Sequence, residues 1–402
     1  MFEFRLPALG ADMDEGTLLE WCVQPGDTVK KGQVVAVVDT SKAAVDVEIW
    51  QAGTVHELLA VPGTRMRVGT VMASLLAEGE APPAAAPRLR ISPAARRRAA
   101  ELGVDPATVH GTGAGGALTL ADVEQAAAQG EGPARGAETG GAGGRDLTVP
   151  AARVPPLVPA QREAETRRTI AAAMSRAKRE IPHYYLLETI PLARAGAWLA
   201  QANAGRPITG RLLMAVLLLK AVALALGKFP ALNGFYRDGR FEPSAAINLG
   251  VAISLRQGGL IAPALHDAGH KPVEVLMQEL TDLVRRARAG SLRSSEMSDP
   301  TVTVTNLGEQ GAEAVVGVIY PPQVALVGFG RVDVRPWVHE DGSLGTCPAV
   351  VASLAADHRV SDGHYGARFL AELRALLQHP QALQVAQPAP GAACEADGEV
   401  RR

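Results

Sequence analysis

An internal repeat near the start of the chain constrains its fold more than any other feature. Residues before Lys42 recur after it at an offset of 37 positions. The recurring residues are Gly16-Thr17-Leu18, Glu20, Pro25-Gly26, Val29, Gly32, Val34 and Ala36, which return as Gly53-Thr54-Val55, Glu57, Pro62-Gly63, Met66, Gly69, Val71 and Ala73. Short apolar runs bounded by Pro-Gly and Gly turns predict strands. The duplication therefore predicts two similar β-halves that pack face to face.

Lys42 lies in the segment that joins the two halves, so we expect it at the tip of a turn. Its neighbours Ser41 and Ala43 are small and leave the amine open to approach. A lysine exposed on a rigid β-scaffold suits covalent modification by an enzyme that must reach it. On spacing alone, an ordinary solvated hairpin lysine remains the alternative.

Residues 2–79 resemble a lipoyl domain. The matching residues are Gly16, Trp21, Gly26-Asp27, Lys31-Gly32, Asp39-Thr40-Ser41-Lys42-Ala43 and Gly53. The resemblance implies a flattened β-barrel in residues 1–79 with lipoate attached covalently to Lys42. Biotin carriers share this fold, but they place methionine on both sides of their lysine. Ser41 and Ala43 therefore disfavour a biotin-type carrier.

The composition bounds the remaining possibilities. A length of 402 residues allows two or three domains, and a net charge of −2 gives no general electrostatic reason to bind nucleic acid or a membrane. The most apolar run, residues 212–226, contains Lys220, is shorter than a membrane span and predicts a buried helix.

The cysteines and the N-terminus bear on location. Cys22, Cys347 and Cys394 are far apart and match no metal-ligand spacing, which predicts no metal site and favours a reducing compartment. The strand pattern that begins at Phe2 leaves no room for a targeting peptide. We therefore expect a cytoplasmic protein.

Residues 80–88 form a predicted Ala/Pro-rich linker, and residues 89–127 contain two short predicted helices that begin near Pro93 and Thr119. This stretch resembles a peripheral subunit-binding domain. The matches are Ser92-Pro93-Ala94-Ala95-Arg96, Leu102-Gly103-Val104-Asp105, Gly111-Thr112-Gly113, Gly115-Gly116 and Asp122-Val123. The resemblance implies that Arg96 grips acidic patches on partner enzymes. A second basic position of that family is Ala117 here, which leaves the affinity for partners, and their identity, open.

Residues 128–160 are Gly-, Ala- and Pro-rich and predict a flexible linker, and residues 386–402 predict a disordered tail. Between them, residues 161–385 alternate helical and strand patterns, which predicts an α/β domain with a mixed sheet. The predicted helices are 166–179, 211–228, 273–289 and 366–377, and the predicted strands are 181–186, 247–255, 302–306, 324–329 and 349–356.

The strongest catalytic signal is His358, which follows an apolar strand and precedes a helix. A histidine at a strand end can be held with one ring nitrogen free to take a proton. We expect Asp357 and Arg359 to form a structural ion pair, and Asp362-Gly363 to turn a carboxylate back towards the imidazole. A purely structural histidine is the alternative.

This pattern resembles the His-x-x-x-Asp-Gly signature of dihydrolipoamide acyltransferases, whose catalytic domain shares its fold with chloramphenicol acetyltransferase. Further matches are Arg168-Thr169-Ile170-Ala171, Ile181-Pro182-His183, Pro230-Ala231-Leu232-Asn233, Asn248-Leu249-Gly250-Val251-Ala252, Gly259-Leu260-Ile261-Ala262-Pro263, Thr305-Asn306-Leu307-Gly308 and Pro321-Pro322-Gln323. The three domains stand in the order of that family and cover nearly all of the chain outside the linkers.

The resemblance implies transfer of an acyl group, acetyl by expectation, from lipoamide on Lys42 to coenzyme A. His358 removes the thiol proton, Asp362 keeps the pocket in shape, and Thr305 replaces the usual serine as hydroxyl donor to the oxyanion. In this family the histidine and the hydroxyl come from neighbouring subunits, so the chain is expected to form trimers that build a large core.

The expected partners are the decarboxylating thiamine-diphosphate component and dihydrolipoamide dehydrogenase of a 2-oxo acid dehydrogenase complex. Two alternatives stay open at this point: a non-catalytic lipoylated scaffold subunit, and a branched-chain or other acyl specificity. The number of subunits in the core is also open.

Overall fold

The computed structural model describes residues 1–9, 13, 15–40, 44–77, 93–102, 109, 111–113, 118–128, 159–255, 259–308, 311–339 and 341–384. Lys42, Ala117 and most of the predicted linkers and tail lie outside the described residues. The chain divides into two compact units, one made of Met1–Glu78 with Ala151–Arg402 and the other of Gly79–Pro150.

The N-terminal region is an eight-stranded β-structure. Its strands are β1 (Phe2–Arg5), β2 (Glu15–Trp21), β3 (Thr28–Val29), β4 (Gln33–Asp39), β5 (Ala44–Ile49), β6 (Gly53–Leu58), β7 (Arg65–Arg67) and β8 (Val71–Leu76). They form two antiparallel sheets, ordered β1-β8-β6-β3 and β5-β4-β2-β7. Side chains such as Leu18, Val38, Val45 and Met72 are fully buried between the sheets. The predicted pair of β-halves is therefore present.

The repeated glycines have a physical reason. Gly26 and Gly63 have φ of 97° and 88°, and Gly32 and Gly69 have φ of 80° and 87°. This left-handed region is costly for residues with a Cβ, so each half of the repeat needs glycine at its two turns. The repeat offset carries β2, β3 and β4 onto β6, β7 and β8.

In the second unit, the described residues form two helices, α1 (Pro93–Leu102) and α2 (Leu120–Ala128). A small core of Ala95, Ala99, Leu118, Val123 and Ala126 lies between them. Asp122 organises the loop before α2, because its carboxylate accepts hydrogen bonds from Thr112 Oγ1 at 2.6 Å, Thr112 N at 3.0 Å and Thr119 N at 2.8 Å. These hydrogen bonds hold the pKa of Asp122 far below its ordinary value.

The C-terminal region is the predicted α/β domain. Its helices are α3 (Pro159–Glu180), α4 (Ala193–Asn203), α5 (Met214–Lys228), α6 (Val273–Ala289), α7 (Ser294–Ser298) and α8 (Gly363–Gln378). Its strands are β9 (His183–Pro191), β10 (Gly234–Arg237), β11 (Arg240–Pro243), β12 (Leu249–Val251), β13 (Ile253–Ser254), β14 (Leu260–Ile261), β15 (Ala264–Leu265), β16 (Leu292–Arg293), β17 (Val302–Asn306), β18 (Ala325–Phe329), β19 (Asp333–Val338) and β20 (Leu344–Asp357).

The central sheet is mixed, as predicted. Its strand order is β15-β12-β17-β18-β20-β19, with β9 paired along β20. The pairs β12–β17 and β17–β18 are parallel, whereas β18–β20 and β20–β9 are antiparallel. The predicted strand 247–255 is wrong in extent: β12 ends at Val251, and the chain then turns into β13, which pairs with β14 in a separate sheet.

Helix α5 forms the centre of the domain core. The stretch Ile208–Lys228 is long and apolar enough to cross a membrane by length and composition alone. However, 61% of the apolar 18-residue segment within it is buried inside the protein. All residues from Val216 to Leu226 are buried, including Lys220. The prediction of a buried core helix here agrees with the structure.

Candidate functional site

His358 lies on the turn between the end of β20 and the start of α8. Its backbone N–H donates to Pro182 O at 2.9 Å, which fastens the turn to the residue before β9. The imidazole is exposed, and the ring of Tyr184 meets its edge with centroids 5.4 Å apart and an interplanar angle of 72°. One side of the ring is therefore packed, while the residue stays open to solvent.

The two neighbours of His358 fix the turn. Asp357 is completely buried, and its carboxylate accepts from Arg359 Nε at 2.9 Å and from Arg359 Nη2 at 2.6 Å. The guanidinium lies 3.9 Å from the ring centroid of Tyr236. The ion pair expected from the sequence is present, and its hydrogen bonds raise the pKa of Arg359. It holds the backbone on both sides of His358.

Asp362 caps the helix that follows. Its Oδ1 accepts from Tyr365 N at 2.8 Å at the start of α8, as expected for an aspartate in the N-cap position. Nearby, the hydroxyls of Ser361 and Tyr184 are 2.8 Å apart. The carboxylate thus acts on the position of α8, and the predicted role of Asp362 in the shape of the pocket stays a prediction.

Thr305 lies near the end of β17 and is far from His358 of the same chain. In the sheet, Thr305 pairs with Gly328, and Gly328 pairs with Ser353, five residues before His358. With about 3.3 Å per residue and about 4.8 Å per strand, the two residues lie on the order of 15–20 Å apart. One chain therefore does not bring the predicted base and hydroxyl donor together.

The two cavities found among the described residues lie away from the predicted site residues. Surface cavities of about 390 and 350 Å³ are found among the described residues, and neither is lined by His358, Asp362 or Thr305. Within the described ranges, no group of three or more His, Cys, Asp and Glu side chains could hold a metal ion.

Other residues of the matching motifs are structural. Both ring nitrogens of His183 are engaged, Nδ1 with Ile181 O at 2.8 Å and Nε2 with Ile319 N at 3.1 Å, which indicates the neutral Nδ1–H tautomer. Burial lowers the pKa of His183 in the same sense. The side chains of Asn233 and Gln323 form buried hydrogen bonds with Thr301 and Thr303, on β17 and just before it.

The sequence did not single out Tyr184 and Tyr236 as parts of the site. Tyr184 belongs to β9 and reaches His358 because β9 and β20 pair along their whole shared length. Tyr236 belongs to the hairpin β10–β11, which the sequence did not predict. An aromatic residue directly after the Ile181-Pro182-His183 motif is the one signal that could have pointed to Tyr184.

Two predicted site residues are only partly within the structure. Lys42 lies outside the described residues; the strands before and after it in the sequence, β4 and β5, pair through Asp39 and Ala44. Arg96 belongs to α1, but the position of its side chain is outside the described part of the protein.

Comparison with known families assigns all three regions. Residues 160–385 match the catalytic domain of 2-oxoacid dehydrogenase acyltransferases. Residues 2–75 match a family described as biotin-requiring enzymes, with biotinyl and lipoyl members, and residues 89–124 match the e3 binding domain. The chain belongs to the 2-oxoacid dehydrogenase acyltransferase family.

Similar proteins cover almost the whole chain. The dihydrolipoyllysine-residue acetyltransferase component of the pyruvate dehydrogenase complex of Rhizobium meliloti is 30% identical over 94% of this chain and 99% of its own length. The lipoamide acyltransferase component of the branched-chain alpha-keto acid dehydrogenase complex of Bacillus subtilis is 28% identical over 94% of this chain and 97% of its own length.

A solved structure is similar to the C-terminal domain. It is the dihydrolipoamide acetyltransferase of Azotobacter vinelandii, studied for the roles of a serine, a histidine and an asparagine in its catalytic mechanism. It has 26% identity and a TM-score of 0.51, and it covers 54% of this chain and 89% of its own. The predicted family, the predicted three-domain fold class and the predicted acyltransferase activity are confirmed.

Proposed function

We propose that this chain transfers an acetyl group from lipoamide on Lys42 to coenzyme A, as the core component of a 2-oxo acid dehydrogenase complex. The observation that carries the proposal is the exposed imidazole of His358, fixed by Pro182, Tyr184 and the ion pair between the buried Asp357 and Arg359. A scaffold subunit without transferase activity has no need of a histidine held in this way.

Lys42 is the proposed attachment site of lipoate. The pairing of Asp39 with Ala44 leaves only residues 40–43 to connect β4 and β5. Bound to Lys42 through an amide, lipoate would supply, once its disulfide is reduced, the thiol that carries the acyl group between active sites.

At the catalytic site, His358 takes the proton from the coenzyme A thiol, because the thiolate is the nucleophile. The thiolate attacks the acyl carbonyl, and the hydroxyl of Thr305 donates a hydrogen bond to the oxygen that gains negative charge. When the carbon–sulfur bond to the carrier breaks, His358 returns the proton to the leaving thiolate. His358 thereby acts first as a base and then as an acid, and these steps require no metal.

The site is proposed to form between subunits. A separation on the order of 15–20 Å between Thr305 and His358 is too large for both to act on one carbonyl. A neighbouring chain in a cyclic trimer can supply the missing residue, since a head-to-tail interface repeats the same pairing at each junction. Trimers of this kind are proposed to build the large core.

The partners follow from the middle domain. Residues 89–124 match the e3 binding domain, which supports binding of dihydrolipoamide dehydrogenase, and Arg96 on α1 is the proposed contact with acidic surfaces. The decarboxylating thiamine-diphosphate component is the proposed source of the acyl group. A cytoplasmic location is proposed as well, supported by the unpaired Cys22 and Cys347, and cell fractionation tests it.

Acetyl is the proposed acyl group, supported by the acetyltransferase relatives, although a branched-chain relative has nearly the same identity. Comparing kcat/KM for acetyl-CoA and isobutyryl-CoA with free dihydrolipoamide decides between them. Since one or two extra methyl groups change such a ratio by about 10- to 200-fold, a preference for isobutyryl of that size would make the chain a branched-chain enzyme.

The central experiment replaces His358 by Ala and measures acetyl transfer from acetyl-CoA to free dihydrolipoamide. Loss of a general base lowers the rate by about 10²–10⁴-fold. His364→Ala is the matched control, because His364 is also exposed and lies six residues further along. Transfer by the His358→Ala variant within a few-fold of the control would remove His358 from the mechanism, whereas a wild-type chain that transfers no acetyl group would be a scaffold subunit.

A further inference from the structure

The outer edge of the lipoyl domain is paired with the catalytic domain. Strand β5, which follows Lys42 and is the edge of its own sheet, runs parallel to β16 with Val45 opposite Leu292 and Asp46 opposite Arg293. Leu292 is completely buried and belongs to the core of the catalytic domain. Pairing on an open sheet edge is a recurrent way of binding one protein segment to another.

The burial of Glu48 depends on this contact. Along β5, the side chains of Val45, Val47 and Ile49 point into the lipoyl core, so Asp46 and Glu48 point outward. An outward glutamate on an isolated barrel is solvated, yet Glu48 is only 6% exposed. The catalytic domain covers it.

Glu48 also forms hydrogen bonds with the residues that cover it. Its Oε2 accepts from Ser295 Oγ at 2.6 Å and from Ser295 N at 3.3 Å, and its backbone N–H donates to Ser294 Oγ at 3.0 Å. Burying a carboxylate is costly unless such donors are present. The side chains of Ser294 and Ser295 therefore match Glu48 specifically.

Charge and apolar packing support the same contact. Burial raises the pKa of Asp46, and Glu296 and Glu48 act in the same direction, whereas Arg286 and Arg293 of the catalytic domain oppose them. Met297 packs against the apolar cores of both domains. Asp46 thus faces two arginines and one glutamate of the catalytic domain, with an apolar contact beside them.

We propose that residues 292–298 are a docking site for the chain's own lipoyl domain, which binds there through β5 and Glu48 between visits to active sites. The proposal rests on the proposed function only in treating this position as the one that the lipoyl domain occupies between visits to active sites. It names a contact that is separate from His358 and Thr305, and it can be tested without lipoate or coenzyme A.

The test is disulfide trapping in the full chain. Asp46→Cys and Arg293→Cys, opposite each other in the strand pair, are introduced together after Cys22 and Cys394 have been replaced by Ser. The control pair is Asp46→Cys with Arg240→Cys, because Arg240 is exposed on the hairpin β10–β11. Both pairs share the same tether, so docking predicts that the first pair oxidises at least about tenfold faster.

A non-reducing denaturing gel separates the outcomes. A disulfide within one chain supports the proposal, and a band at twice the chain mass overturns it, because the docked domain then belongs to a neighbouring subunit. Equal rates for the two pairs overturn docking altogether. Acyl transfer to free dihydrolipoamide is measured on the same samples, so failure of docking and failure of the proposed function are distinguishable.

A charge reversal in the chain that carries Asp46→Cys and Arg293→Cys provides an independent test. Glu48→Lys should slow disulfide formation to the control rate, because it places an ammonium beside the hydroxyls that now serve a carboxylate. Glu57→Lys makes the same change at an exposed position of the same domain and should have no effect. Equal rates for these two variants would count against Glu48 as the recognition residue.

Discussion

Complementation between two inactive variants tests the inter-subunit site most directly. His358→Ala removes the base, with an expected loss of about 10²–10⁴-fold. Thr305→Ala removes the oxyanion donor, with an expected loss of about 10²–10³-fold. Alone, each variant should retain at most about 1% of wild-type transfer. The register from Thr305 through Gly328 to Ser353 predicts that the two defects lie in different sites of a mixed trimer.

The size of the recovery follows from cyclic symmetry. Each junction of a trimer joins His358 of one chain to Thr305 of the next, so every trimer that contains both variants has one complete site. Random mixing at equal amounts restores about a quarter of wild-type activity, well above the background.

The assay is acetyl transfer to free dihydrolipoamide after co-expression of the two chains with different tags. Mass spectrometry of the purified particles checks that both chains are present. If verified mixed particles remain at the background, His358 and Thr305 belong to one site in one chain, and the argument from register is refuted. If Thr305→Ala alone is fully active, Thr305 is not the donor.

Three further predictions concern stability. Asp362→Ala should destabilise the catalytic domain by about 1 kcal/mol in urea unfolding through loss of the α8 cap, whereas Asp362→Asn, which keeps an acceptor oxygen, should change it little. Lys220 donates to the carbonyls of Gly269 and Lys271, both at 2.7 Å, so Lys220→Met should cost about 2–4 kcal/mol. Burial lowers the pKa of Lys220 from 10.5 to about 8. Between these pH values the unfolded chain therefore binds more protons than the folded chain. The free energy of unfolding of the wild type should rise as pH increases from 8 to 10.5, whereas that of Lys220→Met should not. The lowered pKa of Asp122 predicts that amide protection of α1 and α2 falls as pH drops below about 4, and that Asp122→Asn shows the loss already at neutral pH in hydrogen exchange of the full chain.

Local sequence signals predicted some elements to the residue. Helix α6 runs from Val273 to Ala289 as predicted, because Pro272 precedes it and Gly290, with φ of 75°, ends it. Helix α4 was missed, since its N-cap is Leu192 without a side-chain hydrogen bond and its sequence is mostly small residues. Such a helix depends on packing rather than on signals at its ends.

The candidate site was predictable in its chemistry but not in its geometry. The pattern around His358 indicated a histidine at a strand end and the Asp357–Arg359 pair beside it, and both are present. The role of His358 as a base stays a prediction. The distance to Thr305 depends on strand order and register, which no local pattern contains. The burial of Glu48 could not be predicted for the same reason. Alternation along β5 marks Glu48 as a solvent-facing residue, and only a long-range contact buries it.

The docking site and His358 lie at different strands of the sheet, one beside the edge strand β15 and the other at the end of the inner strand β20. Residues of α7 contact β15, the edge strand, while His358 follows β20, four strands away in the order β15-β12-β17-β18-β20. Four strand spacings amount to about 19 Å. A lipoyl domain docked on β16 therefore has to leave before it can serve His358 of its own chain. Because β17, which bears Thr305, is only two strands from β15, the docked domain lies nearer to the site completed by a neighbouring His358. Docking in this geometry favours delivery to the adjacent subunit over delivery to the same one.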